Sequence, residues 1–213
     1  MSLQDNRREY DYGKLSRKSL LDDPFNQFRL WMEQALESGI IDPTAMSVAT
    51  VDSVGRPWQR MVLLKGFDER GFVFYTNLNS QKGNELKNNP KVAMCFHWKS
   101  LLRQVRINGT AKKVSDKVAD EYYNTRGYES RIGAWASKQS SILTNRDELL
   151  NSIEEYKKKY DNKNEVPRPN HWSGWNLTPT SIEFWLDGDS RIHERLKYIK
   201  DEVGNWTKSL LSP

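Results

Sequence analysis

The sequence predicts an α+β fold built on a closed or nearly closed antiparallel β-barrel. Short strand-like runs joined by turn chemistry fill residues 45–114, a helical stretch follows over 115–160, and strand patterning then returns up to the C-terminus. Consecutive short strands imply a meander, and helices gathered into one insertion imply a layer packed on it. A chain of 213 residues can bury roughly 70% of its unfolded surface. One domain over residues 23–213, preceded by a mobile polar arm over 1–22, is the expected organisation.

The elements follow in order. Asp23-Pro24 opens a helix, with Asp23 as N-cap and Pro24 at the first helical position. Phe25, Phe28, Met32 and Leu36 recur at helical spacing as a core stripe, and Gly39 closes the element. Strands are predicted over 46–51, 58–65 and 72–76, separated by Asp52-Ser53-Val54-Gly55 and Asp68-Glu69-Arg70-Gly71. A short helix over 81–88, with Ser80 as its cap, leads to strands over 92–98 and 102–114. Residues 115–160 read as helical pieces broken at Gly127 and at the polar stretch 137–141. After a charged loop come strands near Trp175 and over 182–185, 191–199 and 204–208.

Composition narrows the classes. The net charge of +5, from 33 Lys and Arg against 28 Asp and Glu, is modest and scattered, which argues against a nucleic-acid module. The single cysteine, Cys95, leaves no partner for an internal disulfide and no multi-cysteine metal site. The N-terminal residues are polar, without the apolar segment of a secretory signal. No apolar run approaches the roughly 20 residues that span a bilayer, so a cytoplasmic setting without a membrane is expected. Eight Trp and nine Tyr suit either a dense core or planar ring ligands, and composition does not choose between them.

The most informative stretch is 182–195. A strand ends at Trp185, Asp187-Gly188-Asp189-Ser190 is turn chemistry, and the next strand is predicted to set Arg191, His193 and Arg195 on one face with Ile192 on the other. Like charges side by side repel, and an anionic partner would remove the conflict. Elsewhere, Arg60 and Lys65 end one strand, five residues apart. Period two puts them on opposite faces unless a bulge or bend re-aims one. Tyr75-Thr76 and Ser80-Gln81-Lys82 offer hydroxyls, helix-start amides and a cation, which is what a phosphate monoester needs. Tyr122 and Arg126, four apart, share a helix face.

The block with Trp185 before the hairpin and Arg-x-His-x-Arg after it resembles the C-terminal signature of the pyridoxamine (pyridoxine) 5′-phosphate oxidases. The run from Ile132 to Ser141 is a second match, and the resemblance extends from Arg7 to Pro213. Leu186, Gln81 and Leu210 depart from the family pattern. The resemblance implies the FMN-binding split barrel and a homodimer with FMN at the interface, so that ligands such as Arg60 and Gln104 come from different chains. It implies FMN contacts at Arg60, Met61, Val62, Leu63, Leu64, Lys65, Tyr75, Thr76, Gln81, Lys82, Gln104, Gln139, Ser140, Trp185 and Arg195, and no metal. For the substrate phosphate it implies Lys65, Tyr122, Arg126 and Ser130. Arg191 and His193 would then face the pyridine ring and the reacting carbon, and Arg7 and Tyr10 would close over the substrate from the arm.

The implied reaction converts pyridoxine 5′-phosphate or pyridoxamine 5′-phosphate to pyridoxal 5′-phosphate, a step of vitamin B6 metabolism, with hydride passing to FMN and O2 leaving as H2O2. Three other readings stay open. One is a split-barrel flavoprotein acting on another substrate, such as a flavin reductase, which would not need the substrate residues together. Another is a non-catalytic carrier of FMN or pyridoxal phosphate, which would consume no oxygen. The third is a basic nucleic-acid module, which would bind duplex DNA in a salt-dependent way.

Overall fold

The first helix forms where the chain supplies both a cap and an apolar stripe. In the computed structural model, which describes residues 20–163 and 165–213, α1 (Pro24–Glu37) starts at Asp23, whose carboxylate accepts the Asn26 amide at 2.7 Å. Phe25, Phe28 and Met32 are buried as expected, with Trp31 and Ala35 beside them, but Leu36 is 57% exposed. Two steps of four residues, from Phe28 through Met32 to Leu36, rotate the side chain about 80° off the core-facing line. Gly39 ends the helix at φ +75°, a conformation glycine adopts without a Cβ penalty.

Among the described residues, nine antiparallel strands make the sheet: β1 (Ala45–Val51), β2 (Pro57–Leu63), β3 (Gly66–Asp68), β4 (Gly71–Asn77), β5 (Lys91–Trp98), β6 (Arg103–Lys113), β7 (Trp172–Leu186), β8 (Glu194–Lys200) and β9 (Trp206–Leu211). Their order is β2-β1-β5-β6-β7-β4-β3, with β8 and β9 branching from β7. β7 is one 15-residue strand where two were predicted. β6 runs along one of its edges, while the other edge is divided: residues 172–177 pair with β4 and 181–186 with β8. Pro179, which cannot donate to a ladder, lies in the gap between those two partners and opposite the register shift at Asn108/Gly109. Gly109 is required there, because a Cβ would lie 2.1 Å from the Thr178 carbonyl oxygen. This division of one edge splits the barrel.

α1 fills the curl of the sheet. Phe28, fully buried, meets the rings of Phe67 and Phe72 at 4.9 Å and Phe96 at 5.1 Å. The inserted layer comprises α3 (Asp116–Asn124), α4 (Tyr128–Ala136) and α5 (Arg146–Lys159), broken at Gly127 and 137–141 as the sequence predicts, while α2 (Gln81–Asn88) follows β4. Among the described residues, no helix is long and apolar enough to cross a membrane.

Three differences from the expected strand bounds have a visible cause. β2 stops at Leu63 because Leu64 turns inward, its amide bonded to Thr44 O at 2.9 Å. β9 starts at Trp206 because the Asp201 carboxylate accepts the Val203 and Asn205 amides and holds a turn. β8 begins at Glu194 rather than 191: Ser190 and Arg191 both adopt left-handed backbone, at φ +54° and +65°, so Arg191 sits in a short helical turn (Asp189–Arg191). The predicted face bearing Arg191, His193 and Arg195 on one strand therefore does not exist.

Candidate active site

The bend after β2 decides the position of Lys65. With Leu64 turned into the core and the Lys65 amide bonded to Val73 O at 2.8 Å, Lys65 reaches the same cleft as Arg60. This cleft of about 570 Å³ brings together Arg60, Met61, Val62, Leu63, Lys65, Tyr75, Thr76, Lys82, Tyr122, Arg126, Ser130 and Gln139. Arg126 lies just past the end of α3, its amide bonded to Tyr123 O, and still shares the cleft with Tyr122.

Within the cleft Lys82 is only 7% exposed, in the first turn of α2. Its Nζ donates to Thr76 Oγ1 at 3.1 Å and Gln139 Oε1 at 3.2 Å. Burial pushes its pKa down to about 8, Arg60 adds to the shift, and Glu85 opposes it. Glu85 is itself buried; it pairs with Arg60 at 3.1 Å, accepts the Thr50 hydroxyl, and accepts Gln81 Nε2 at 2.8 Å. Gln81 thus stands behind the cleft and orients the Glu85 that orients Arg60. Ser80 is the expected cap, accepting the Gly83 amide. Leu64 is core, and Ser140, exposed at φ +72°, does not line the cleft.

Three rings of the cleft form a stack. Tyr75 lies 4.0 Å from Tyr122 and 5.2 Å from Trp172, all within 18° of parallel. The Arg126 guanidinium sits 4.7 Å from the Trp172 ring centre. Its Nη1 is buried with no hydrogen-bond partner among the described residues, and burial lowers its pKa. A buried guanidinium nitrogen without an acceptor costs free energy that an anionic oxygen would recover. No acidic residue lines the cleft among the described residues.

A second cluster lies on the outward face near the far end of β7. Gln104 of β6 is opposite Trp185 of β7, and Trp185 is opposite Arg195 of β8. The His193 ring lies 4.7 Å from that of Trp185. The like-charge conflict read from the sequence is resolved within the chain: Arg195 pairs with Glu183 at 2.9 Å and His193 with Asp187 at 2.8 Å. Arg191 has no ion pair among the described residues. None of these five residues lines the first cleft. Arg7 and Tyr10 lie outside the described residues.

The sequence reading missed Glu85, Trp172 and Asp187. Glu85 was legible in principle, four residues after Gln81 on one helix face. Trp172 joins the stack only through the pairing of β4 with β7, for which no local signal exists.

Four cations without a lining carboxylate, parallel aromatic faces and an orphaned guanidinium nitrogen define a split-barrel protein fitted to planar, phosphate-bearing ring compounds. The family described as pyridoxamine 5′-phosphate oxidase matches residues 32–160, and the pyridoxine 5′-phosphate oxidase C-terminal dimerisation region matches 172–213. The chain belongs to the pyridoxamine 5′-phosphate oxidase family. It is 73% identical over 198 residues to the pyridoxine/pyridoxamine 5′-phosphate oxidase of Pelagibacter ubique (strain HTCC1062), covering 92% of this chain and 95% of that one. It is 46% identical over 213 residues to the protein of that name from Microcystis aeruginosa, covering 100% and 99%. Among solved structures, PhzG from Burkholderia lata 383, in complex with tetrahydrophenazine-1-carboxylic acid, superposes with a TM-score of 0.89 at 27% identity over 97% of this chain and 100% of that one. A pyridoxamine 5′-phosphate oxidase-related, FMN-binding protein from Nostoc punctiforme PCC 73102 shares the fold, with a TM-score of 0.72 at 15% identity over 90% and 98%.

Proposed function

We propose that this protein is a homodimeric, FMN-dependent oxidase that converts pyridoxine 5′-phosphate and pyridoxamine 5′-phosphate to pyridoxal 5′-phosphate. The observation that carries the reading is one cleft lined by four cations, Arg60, Lys65, Lys82 and Arg126, without a carboxylate, beside a stack of aromatic rings. Two phosphate-bearing partners need several cations between them. Arg60, Lys82, Thr76, Tyr75 and Gln139, with the 61–63 segment, would hold FMN. Lys65, Tyr122, Arg126 and Ser130 would hold the substrate phosphate, and the orphaned Arg126 Nη1 fits a phosphate oxygen.

FMN, when bound, supplies the acceptor for the two electrons that leave the substrate. The protein's share is positional: it fixes both phosphates, keeps charge of the right sign in a partly desolvated cleft and orients the rings. Gln104, Trp185, Arg191, His193 and Arg195 would complete each site from the partner subunit, in keeping with the match to a dimerisation region. Arg7 and Tyr10 are assigned to closing over the substrate. O2 is the terminal acceptor and leaves as H2O2.

The test is to add FMN and pyridoxine 5′-phosphate to flavin-free protein in air, following pyridoxal 5′-phosphate as its coloured amine adduct together with peroxide. Product with stoichiometric peroxide, absent when FMN is withheld, is expected. Bound FMN with no product from either B6 phosphate would instead mark a split-barrel reductase or a carrier, and the oxidase reading would fall.

A further inference from the structure

We propose that Asp187 is a positioning residue for His193: it holds the imidazole by Nδ1 and so keeps Nε2 free to accept the proton released by the substrate's 4′ hydroxyl group. The inference rests on the reading of His193 as a site residue. The two side chains lie 2.8 Å apart, Asp187 Oδ1 to His193 Nδ1. An ionised carboxylate only accepts, so the ring nitrogen facing it must carry the proton. A neutral imidazole protonated at Nδ1 has its lone pair at Nε2, and Nε2 has no hydrogen-bond partner among the described residues.

One backbone amide competes for Nδ1, since Gly188 N–H is also placed to donate to it. The Gly188 amide lies 3.1 Å from Asp187 Oδ1 and 3.3 Å from His193 Nδ1, so the carboxylate is its nearer acceptor. Remove the carboxylate, and the amide's remaining neighbour is Nδ1, which would then have to accept; the ring proton would move to Nε2. The loop is built to bring the pair together. Ser190 and Arg191 take left-handed backbone, and a Cβ on Gly188 would lie 2.0 Å from Ile192 O, so the chain doubles back from 187 to 193 in a turn with no slack. The ring packs against Trp185, and both Asp187 and His193 keep about a quarter of their side-chain surface exposed, at 27% and 24%. The geometry is that of a base held by an orienting carboxylate.

The step balances for an alcohol substrate. The hydroxyl O–H bond breaks and its proton goes to Nε2. The C4′–H bond breaks, its electron pair leaving with the hydrogen to the flavin of the proposed activity, and the C4′=O double bond forms. Asp187 stays ionised and stabilises the imidazolium.

The chain contains three histidines, His97, His171 and His193, so tautomers can be assigned by long-range ¹H–¹⁵N correlation on ¹⁵N-histidine-labelled protein. His171 is an internal reference, since its Nε2 faces Ala134 O at 2.9 Å and must donate. The expected result is an Nε2–H tautomer for His171 and an Nδ1–H tautomer for His193. Asp187→Ala is expected to switch His193 to Nε2–H and to lower kcat for pyridoxine 5′-phosphate by about ten- to a hundredfold, with KM changed less than about twofold because the phosphate is held elsewhere. An Nε2–H tautomer of His193 in the unmodified protein, or an unchanged kcat in Asp187→Ala, would overturn the proposal. If the unmodified protein shows the expected tautomers but oxidises neither B6 phosphate, the oxidase reading fails while the hold of Asp187 on the ring stands.

Discussion

Lys82 is a cation whose nearest partners are a hydroxyl and an amide rather than a carboxylate. With its pKa brought down to about 8, the protonated form that favours a phosphate dominates below that pH and is lost above it. FMN affinity, measured by quenching of flavin fluorescence, is therefore expected to hold steady up to about pH 8 and to fall beyond it. Lys82→Met should weaken binding by about ten- to a hundredfold, the worth of a charge-assisted hydrogen bond, and flatten that decline. The same shift has an opposite consequence for the flavin-free fold. The folded-state pKa lies below the unfolded one, so the unfolded chain holds more protons between pH 8 and its ordinary value near 10.5. The burial cost is fully present below pH 8 and disappears as pH rises through that window. Lys82→Met should accordingly raise the Tm of flavin-free protein at pH 7, and a lowered Tm would contradict the argument. Arg126 differs in that its proposed contact is to the non-reacting phosphate. Arg126→Ala is expected to raise KM by about ten- to a hundredfold with kcat largely kept. At this scale the chemistry of the side chains singled out Lys82, Tyr122 and Arg126, which the structure brings to one cleft. The sequence left Lys65 open because one inward-turning residue, Leu64, decided its direction, and it missed Asp187 because a turn-forming aspartate looks the same whether or not a histidine returns to it.

α2 shows how an element places chemistry. Its first turn is capped by Ser80 and carries Lys82, and Gly83 lets it press against the preceding chain: a Cβ there would lie 2.3 Å from Leu78 O. Gly83→Ala should destabilise the protein by roughly 1–3 kcal/mol, as overpacking does, and lower FMN affinity together with it. Unchanged flavin binding in a destabilised variant would show that the seat of the helix does not set Lys82. Helix existence and breaks were legible because caps and glycines are local signals: Asp23, Ser80 and Gly127 each stand where an element starts. Strand bounds were less so. Two strands were expected where β7 is one, and it continues through Pro179 because the proline falls where one partner ends and the next has not begun. The start of β8 was misjudged because nothing in Ser190-Arg191 announces left-handed backbone.

At the scale of the whole molecule, the residues that the resemblance assigns to one site fall into two clusters within a chain, and the proposed dimer would unite them across its interface. Oligomeric state was invisible to composition and periodicity; the family resemblance suggested a homodimer, and the match to a dimerisation region supports it. Arg60→Ala belongs to one cluster and Gln104→Ala to the other. If the site is shared, mixing the two inactive variants under conditions of subunit exchange should form heterodimers with one intact site each and restore about a quarter of native activity, as random twofold pairing gives. No recovery on mixing, with exchange verified, would place the whole site within a single chain.

β7 links the two clusters, with Trp172 in the aromatic stack near its start and Trp185 beside His193 near its end. Thirteen steps of extended backbone separate them, a contour of up to about 43 Å. The strand thus acts as a spacer bar, and with the site shared as proposed an isolated chain carries two unlike halves. At concentrations well below the dissociation constant of the pair, turnover should grow with the square of the amount of chain rather than in proportion to it, so that a cell making little of this protein would obtain disproportionately less catalysis from it.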